Sequence, residues 1–156
     1  MQTPRLNSCG RLCARSQAHW LLEDDTLSTL QALQGEGYKL GIISNAGDDD
    51  DVQTLVDKAN IRAYFDVVLS SAACGVRKPN PRIFALALEQ MRLQAAETAM
   101  VGDTLGADIL GAKNAGLYSI WLTRRADTPA NREHQHTITP DAQISALGEL
   151  PALLKN

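Results

Sequence analysis

The sequence predicts an α/β domain, a parallel sheet flanked by helices, and three observations predict it. Segments of helix and strand character alternate from residue 26 to the end. The best strand segments are short, nearly continuous apolar runs, as in strands buried on both faces. Three of them end in polar residues that an apolar strand does not need: Ser44-Asn45, Ser70-Ser71 and Asp103. In a parallel sheet all three ends fall on one edge, where ligands bind.

Each element has its own signal. Leucines at 27, 30 and 33 predict a helix over Thr26–Gln34, with Asp24, Asp25 or Ser28 as its cap and Gly35 and Gly37 as its stop. Tyr38–Ser44 reads as a buried strand. Asp48–Ala59 follows as a helix, with Asp48–Asp51 across its first turn, where acids suit the dipole. Phe65–Ser70 is the next strand, and Pro81–Met91 a helix with Pro81 near its first position. Thr98–Val101 reads as a strand, Ala107–Ala115 as a helix stopped at Gly116, and Leu117–Leu122 as a strand. Arg124–Thr139 reads as a polar loop, Ala142–Ile144 as a last short strand and Leu147–Leu154 as a terminal helix. No internal repeat or low-complexity tract interrupts this order.

Composition narrows the classes. The 156 residues suffice for one domain with its own core. A net charge of −3 argues against a nucleic-acid partner, and no apolar run reaches membrane-spanning length. The three cysteines, Cys9, Cys13 and Cys74, are odd in number and lack zinc spacing, so a reduced, cytoplasmic setting is expected. Residues 1–20 carry Arg5, Arg11 and Arg15 and no acid, unlike the rest. They are expected to form an N-terminal arm or the remnant of a cap, with a transit peptide as the alternative. Residues 21–156 are expected to form the core domain.

The most telling stretch is Met100–Gly116. Asp103 ends a short apolar strand, and Asp108 follows five residues later in the first turn of a helix. A carboxylate there can hold a divalent cation, and Gly102 lets the backbone turn sharply. The competing reading is a strand–helix joint whose acids cap the helix. Taken with Ser44 and Lys78-Pro79, however, the set describes a phosphoryl site. The hydroxyl and nearby N–H groups receive an anion, the lysine offsets its charge, and the carboxylate holds magnesium.

These residues resemble the motifs of the haloacid dehalogenase-like hydrolase superfamily, and most closely its capped, phosphatase-rich branch. Ile42-Ile43-Ser44-Asn45 resembles the second motif. Gly75-Val76-Arg77-Lys78-Pro79 with Asn80–Phe84 resembles the third, and Val101-Gly102-Asp103 with Thr104–Asp108 the fourth. Gly111–Gly116 is a habitual companion of the fourth motif. The resemblance covers about Leu21–Leu154 and implies a Rossmann-like sheet. It also implies roles: Ser44 binds the phosphoryl group, Asn45 orients substrate or nucleophile, and Lys78 offsets charge at nucleophile and phosphate. Asp103 is an Mg2+ ligand, and Asp108 supports the metal shell or pairs with Lys78.

One part of the pattern is not found. The family attacks phosphate with an aspartate in a first motif, Asp-x-Asp-x-Thr, on a strand central to the sheet. The nearest string here is Leu21–Leu27, where Leu22 would occupy the nucleophile position. Glu23–Asp25 reads instead as a helix N-terminus. The expectation is therefore a truncated core whose usual central first strand is missing. The strands ending at Ser44 and Val101 then rejoin each other, or another chain fills the slot.

The complete family member would hydrolyse a phosphomonoester, so a small phosphorylated metabolite is the expected partner, with little or no turnover by this chain. The alternative is a non-catalytic phosphate-binding or interaction module. Dehalogenase chemistry needs the same missing aspartate, and the metal-type Gly102-Asp103 disfavours it. Nucleic acid and membrane are not expected as partners, whereas an unfilled slot would favour self-association. Other features read as structural: Asp48–Asp51 as a capped, solvated helix start, His134 and His136 as solvated, Cys74 as a packed thiol, and Trp121 as core beneath the polar loop.

Overall fold

The computed structural model describes residues 22–155. The expected arm over residues 1–20 lies outside the described residues. The chain starts with helix α1 (Thr26–Gly35), which buries Thr29, Leu30 and Leu33. Of the three candidate caps, Asp25 takes the position, but its side chain makes no capping bond. The helix ends where Gly37 adopts φ +85°, a conformation that favours glycine.

Strand β1 (Gly41–Ser44) pairs in parallel with β2 (Val67–Ser70), Gly41 opposite Val67 and Ser44 opposite Ser70. Both are shorter than the apolar runs that predicted them. At their amino end the Asp66 N–H still donates to the Leu40 carbonyl, and the Asp66 carboxylate adds a side-chain bond by accepting the Leu40 N–H. Helix α2 (Asp49–Lys58) connects them, its N-terminus capped by Asp48, whose carboxylate accepts the N–H of Asp50. After β2 come a single turn, α3 (Ser71–Cys74), and helix α4 (Pro81–Met91), capped by Asn80.

A second parallel sheet holds β3 (Ala99–Gly102), β4 (Tyr118–Leu122) and β5 (Ala142–Ile144), with β4 central. The segment expected to be one helix over Ala107–Ala115 divides. A π-helical turn over Leu105–Ile109 leads into α5 (Leu110–Asn114). The wide turn folds Asp108 back on itself: its N–H donates to the Thr104 carbonyl, and its carboxylate accepts the Thr104 N–H at 3.0 Å. The expected polar loop also contains structure. Helix α6 (Pro129–Arg132) starts at a proline preset for that position and buries Asn131. The expected terminal helix is a 3-10 turn over Leu147–Glu149 followed by α7 (Leu150–Leu153).

The expectation of a single sheet, or of strands that rejoin, is not met: β1 pairs with β2, β3 pairs with β4, and β1 and β3 do not pair. Helices nevertheless hold the halves together from both sides. On one face α4 packs Ile83, Phe84 and Ala87 against Val67, Leu69 and Ile43 of the first half and Met100 of the second. On the other, α1 sets Leu30 beside Ile42 and Val68, and Leu33 beside Ile120 and Ile144. Between β1 and β3 lies a cleft of about 470 Å³. Phe84 and Met91 close one face, and Leu30, Leu33 and Leu150 the other. Among the described residues no helix is long and apolar enough to cross a membrane.

Candidate functional site

Lys78 shows how the two halves meet. Its Nζ donates to the Ile43 carbonyl, 2.6 Å away near the carboxyl end of β1. The same ammonium pairs with the Asp108 carboxylate at 2.7 Å, and both side chains are more than nine-tenths buried. Asp108 in turn lies against Gly102, the last residue of β3, where an added Cβ would land on its side chain. The carboxyl ends of β1 and β3 therefore face each other across Lys78. Ser44, Lys78, Asp103 and Asp108 all lie at or next to this edge.

Asn45 holds Lys78 in place. Its side-chain oxygen accepts the Lys78 N–H at 2.8 Å, and its amide donates to the Lys78 carbonyl at 3.0 Å. The Lys78–Pro79 peptide is cis. The end of β2 serves the same corner. The Ser71 hydroxyl donates to the Ala46 carbonyl and accepts its N–H, and the Ser70 hydroxyl donates to Asp49 at 2.6 Å. These two serines brace the loop after β1.

Asp103 is held differently. Its main-chain carbonyl accepts two side-chain donors, the Trp121 indole at 3.2 Å and the Asn131 amide at 2.8 Å. Asn131 also accepts the Leu105 N–H at 2.8 Å and donates to the Arg125 carbonyl at 2.7 Å. The carboxylate itself accepts the Thr104 hydroxyl at 3.1 Å and lies 3.3 Å from the Arg125 guanidinium. Sequence reasoning missed Asn131 and Arg125, because both sit in what reads as a featureless polar stretch. Pro129, as a helix-start signal, was the one available clue to Asn131.

The two acids differ in what they can offer a cation. Both oxygens of Asp108 are engaged, one by Lys78 and one by the Thr104 N–H. Of the two roles open to it, pairing with Lys78 is the one that the geometry displays. Asp103 keeps a carboxylate about one-third exposed at the mouth and fits as one ligand of a hard cation that fills its remaining positions with water. Among the described residues no group of three His, Cys, Asp or Glu side chains is arranged around a metal position.

Among the residues set aside as structural, Trp121 reaches this edge through its indole bond to the Asp103 carbonyl. Cys74 packs against the cluster around Phe84, and its thiol lies 3.4 Å from the Val76 carbonyl. Trp121 is buried with Leu105, Ile109 and Ile138. The His134 ring lies against Gly106, and His136 is exposed.

Parallel sheets layered by helices, with their polar groups gathered where the strands end, define the class: an α/β protein with its site at the carboxyl edge. The chain belongs to the haloacid dehalogenase-like hydrolases, whose family profile matches residues 14–122. It is 40% identical over 129 residues to the pyrimidine 5'-nucleotidase YjjG of Escherichia coli K12, a match that covers 82% of this chain and 54% of that protein. To the glyceraldehyde 3-phosphate phosphatase of Methanothermobacter thermautotrophicus it is 41% identical over 110 residues, 70% of this chain and 48% of the relative. The chain thus spans about half the length of the curated relatives it matches. Among solved structures, the phosphatase of this family from Thermococcus onnurineus superposes with a TM-score of 0.77 at 31% identity, over 94% of this chain and 64% of that one. A 2-haloacid dehalogenase from Pseudomonas syringae superposes at 0.71 and 30% identity, over 86% and 54%. Fold alone therefore does not choose between the two chemistries.

Proposed function

We propose that this chain supplies the phosphate-facing and cation-facing part of a phosphatase-type hydrolase that acts on a small phosphorylated metabolite. One observation carries the reading: the buried ammonium of Lys78 is fixed by Ile43 and Asp108 at the edge where Ser44 and Asp103 stand. A fixed cation in a water-poor site offsets phosphoryl charge without reorganising during the reaction. The Ser44 hydroxyl donates to a phosphoryl oxygen, and Asn45 acts through Lys78 by clamping its main chain. Asp103 would hold Mg2+, which supplies charge neutralisation at the phosphate oxygens when bound. The phosphatase names of several relatives support this reading over dehalogenation.

An attacking carboxylate is not found among the described residues that line the cleft: the acids there are Asp103 and Asp108, and Asp108 is already paired. The chain is therefore expected to bind phosphate with little or no turnover, so a phosphate-binding module remains the second reading. Two measurements on the full chain test this. Calorimetry with inorganic phosphate and Mg2+ should give saturable binding, weakened about tenfold by Ser44→Ala, the loss of one hydrogen bond to a charged group. Absence of binding would overturn both readings. Hydrolysis of an aryl phosphate should stay at background, and robust turnover abolished by Asp103→Ala would overturn the expected inactivity.

A further inference from the structure

We infer that Arg125 selects the substrate of this site. It pairs with Asp103 while no cation is held there, yields that carboxylate to Mg2+, and then receives a carboxylate that the substrate carries besides its phosphate. The inference rests on the phosphatase reading and names its substrate class, a phosphate ester with a second acid group.

Two neighbouring arginines follow β4 in a 3-10 turn over Thr123–Arg125, and they are used in opposite ways. Arg124 is about a quarter exposed; its guanidinium holds both oxygens of Asp25 and lies 3.2 Å from Glu23. The Arg125 side chain is 71% exposed, and among the described residues its guanidinium meets only Asp103, at 3.3 Å. An exposed pair of this kind is weak and exchanges readily.

The main chain shows that this exposed side chain is deliberately placed. Asn131 is 1% exposed, and its amide donates both to the Asp103 carbonyl at 2.8 Å and to the Arg125 carbonyl at 2.7 Å. One buried side chain therefore ties the ends of β3 and β4 together and sets Arg125 beside Asp103. The Arg125 carbonyl also accepts the Thr128 N–H and hydroxyl. A merely solvated arginine has no use for such anchoring.

Charge then points to the ligand. Arg125 and Asp103 line a cavity of about 270 Å³ together with Arg124 and Glu23. The two guanidiniums and the two carboxylates balance as they stand. With Mg2+ held at Asp103 the same wall carries excess positive charge, while Arg124 stays tied to Asp25 and Glu23. Arg125 is then the cation of that wall without a partner, and its planar fork takes a carboxylate at two oxygens. Asp103 stands beside the phosphate position of the proposed site, so this carboxylate belongs only a few bonds from the phosphate ester. Leu22, Ile61, Leu122 and Leu147 line the rest of the cavity, which suits a short carbon chain between the two acids.

The experiment is calorimetry on the full chain with 3-phosphoglycerate and glycerol 3-phosphate. The two share the phosphate ester, and a carboxylate in one replaces a hydroxymethyl group in the other. With excess Mg2+, 3-phosphoglycerate should bind about tenfold more tightly, the gain from one charge-assisted contact. Arg125→Ala should bring the two to equal affinity, and it also controls for Mg2+ held by the ligand's own carboxylate. Equal affinities in the wild type, or a preference that survives Arg125→Ala, would overturn the assignment. A second titration uses Mg2+ alone. Arg125→Ala should bind it about two- to fivefold more tightly, because an exposed ion pair no longer competes for Asp103. Unchanged or weaker Mg2+ binding would overturn the exchange at Asp103. The two readings fail distinguishably. If glycerol 3-phosphate binds and the carboxylate adds nothing, this inference falls alone; if neither ester nor inorganic phosphate binds, the phosphatase reading falls with it.

Discussion

The two half-sheets treat their polar residues in opposite ways. In the β1–β2 half, polar groups after the strands are tied down: Asn45 clamps Lys78, Ser71 clamps Ala46, and Ser70 holds Asp49. In the β3–β5 half the main chain is tied and the acid is presented. The Asp103 carbonyl accepts Trp121 and Asn131, while its carboxylate stays about one-third exposed. One half immobilises a cation, and the other offers an oxygen that can change partners. Such a division suits a site where a fixed charge awaits an anion and an adjustable carboxylate awaits a metal.

At the mouth the halves are joined by Lys78 and Asp108, so the largest expected effect comes from breaking that pair. Lys78→Met leaves a buried carboxylate without its cation and should cost about 3–5 kcal/mol. Adding Asp108→Leu should recover much of the loss, because a buried pair replaced by apolar groups is often nearly neutral. Urea unfolding of the two single variants and the double variant reads this. A loss under about 1 kcal/mol for Lys78→Met would mean that α1 and α4 alone hold the halves together.

Much of this was legible in the sequence, for a physical reason. Strands buried on both faces need continuous apolar runs, so Tyr38–Ser44 and Phe65–Ser70 read as strands, though each run starts before the observed strand, and the residue after each run falls at the sheet edge by geometry. Lys78 could be assigned to the same edge because it follows a strand end by only a short connection. Features set by tertiary contacts were not legible. The π-helical turn at Leu105–Ile109 exists because Asp108 folds back to Thr104 and Lys78, and no periodicity reports that. Asn131 reaches its partners across 26 to 28 residues of chain, and an asparagine in a polar stretch looks the same whether buried or solvated. The separation of β1 from β3 depends on which strands pair, which the order of elements leaves open.

A smaller effect sharpens the contrast between the halves. Asn131 is buried and makes three hydrogen bonds around Asp103. Asn131→Ala should cost about 2 kcal/mol, since it strands the Leu105 N–H, and should lower the Tm by about 5 °C. The matching loss in the other half, Ser71→Ala, removes a reciprocal pair with Ala46 and should cost about 1 kcal/mol. If the order were reversed, the first half and not the second would depend more on its ties. Thermal unfolding of the two variants side by side decides.

The smallest effect belongs to the far end of α1, one of the two helices that span both halves. Arg124, just after β4, contacts both oxygens of Asp25 at 2.7 and 2.8 Å, and the Gly148 N–H adds a third bond at 3.0 Å. Arg124 first, and then the Gly148 N–H, hold the Asp25 carboxyl below the usual aspartate range. A carboxyl lowered in the folded state stabilises it fully above the unfolded value, about 3.9, and loses that contribution as pH falls through the folded value. The tie is partly exposed, so its effect is modest and screened by salt. Wild type should therefore exceed Asp25→Asn in urea midpoint at pH 6, with the gap closing as the pH falls below about 4, the unfolded value. A gap that stays constant through that fall would show that Arg124 and Gly148 hold Asp25 no better folded than unfolded. The halves would then be joined by the mouth pair and apolar packing, without this second polar link.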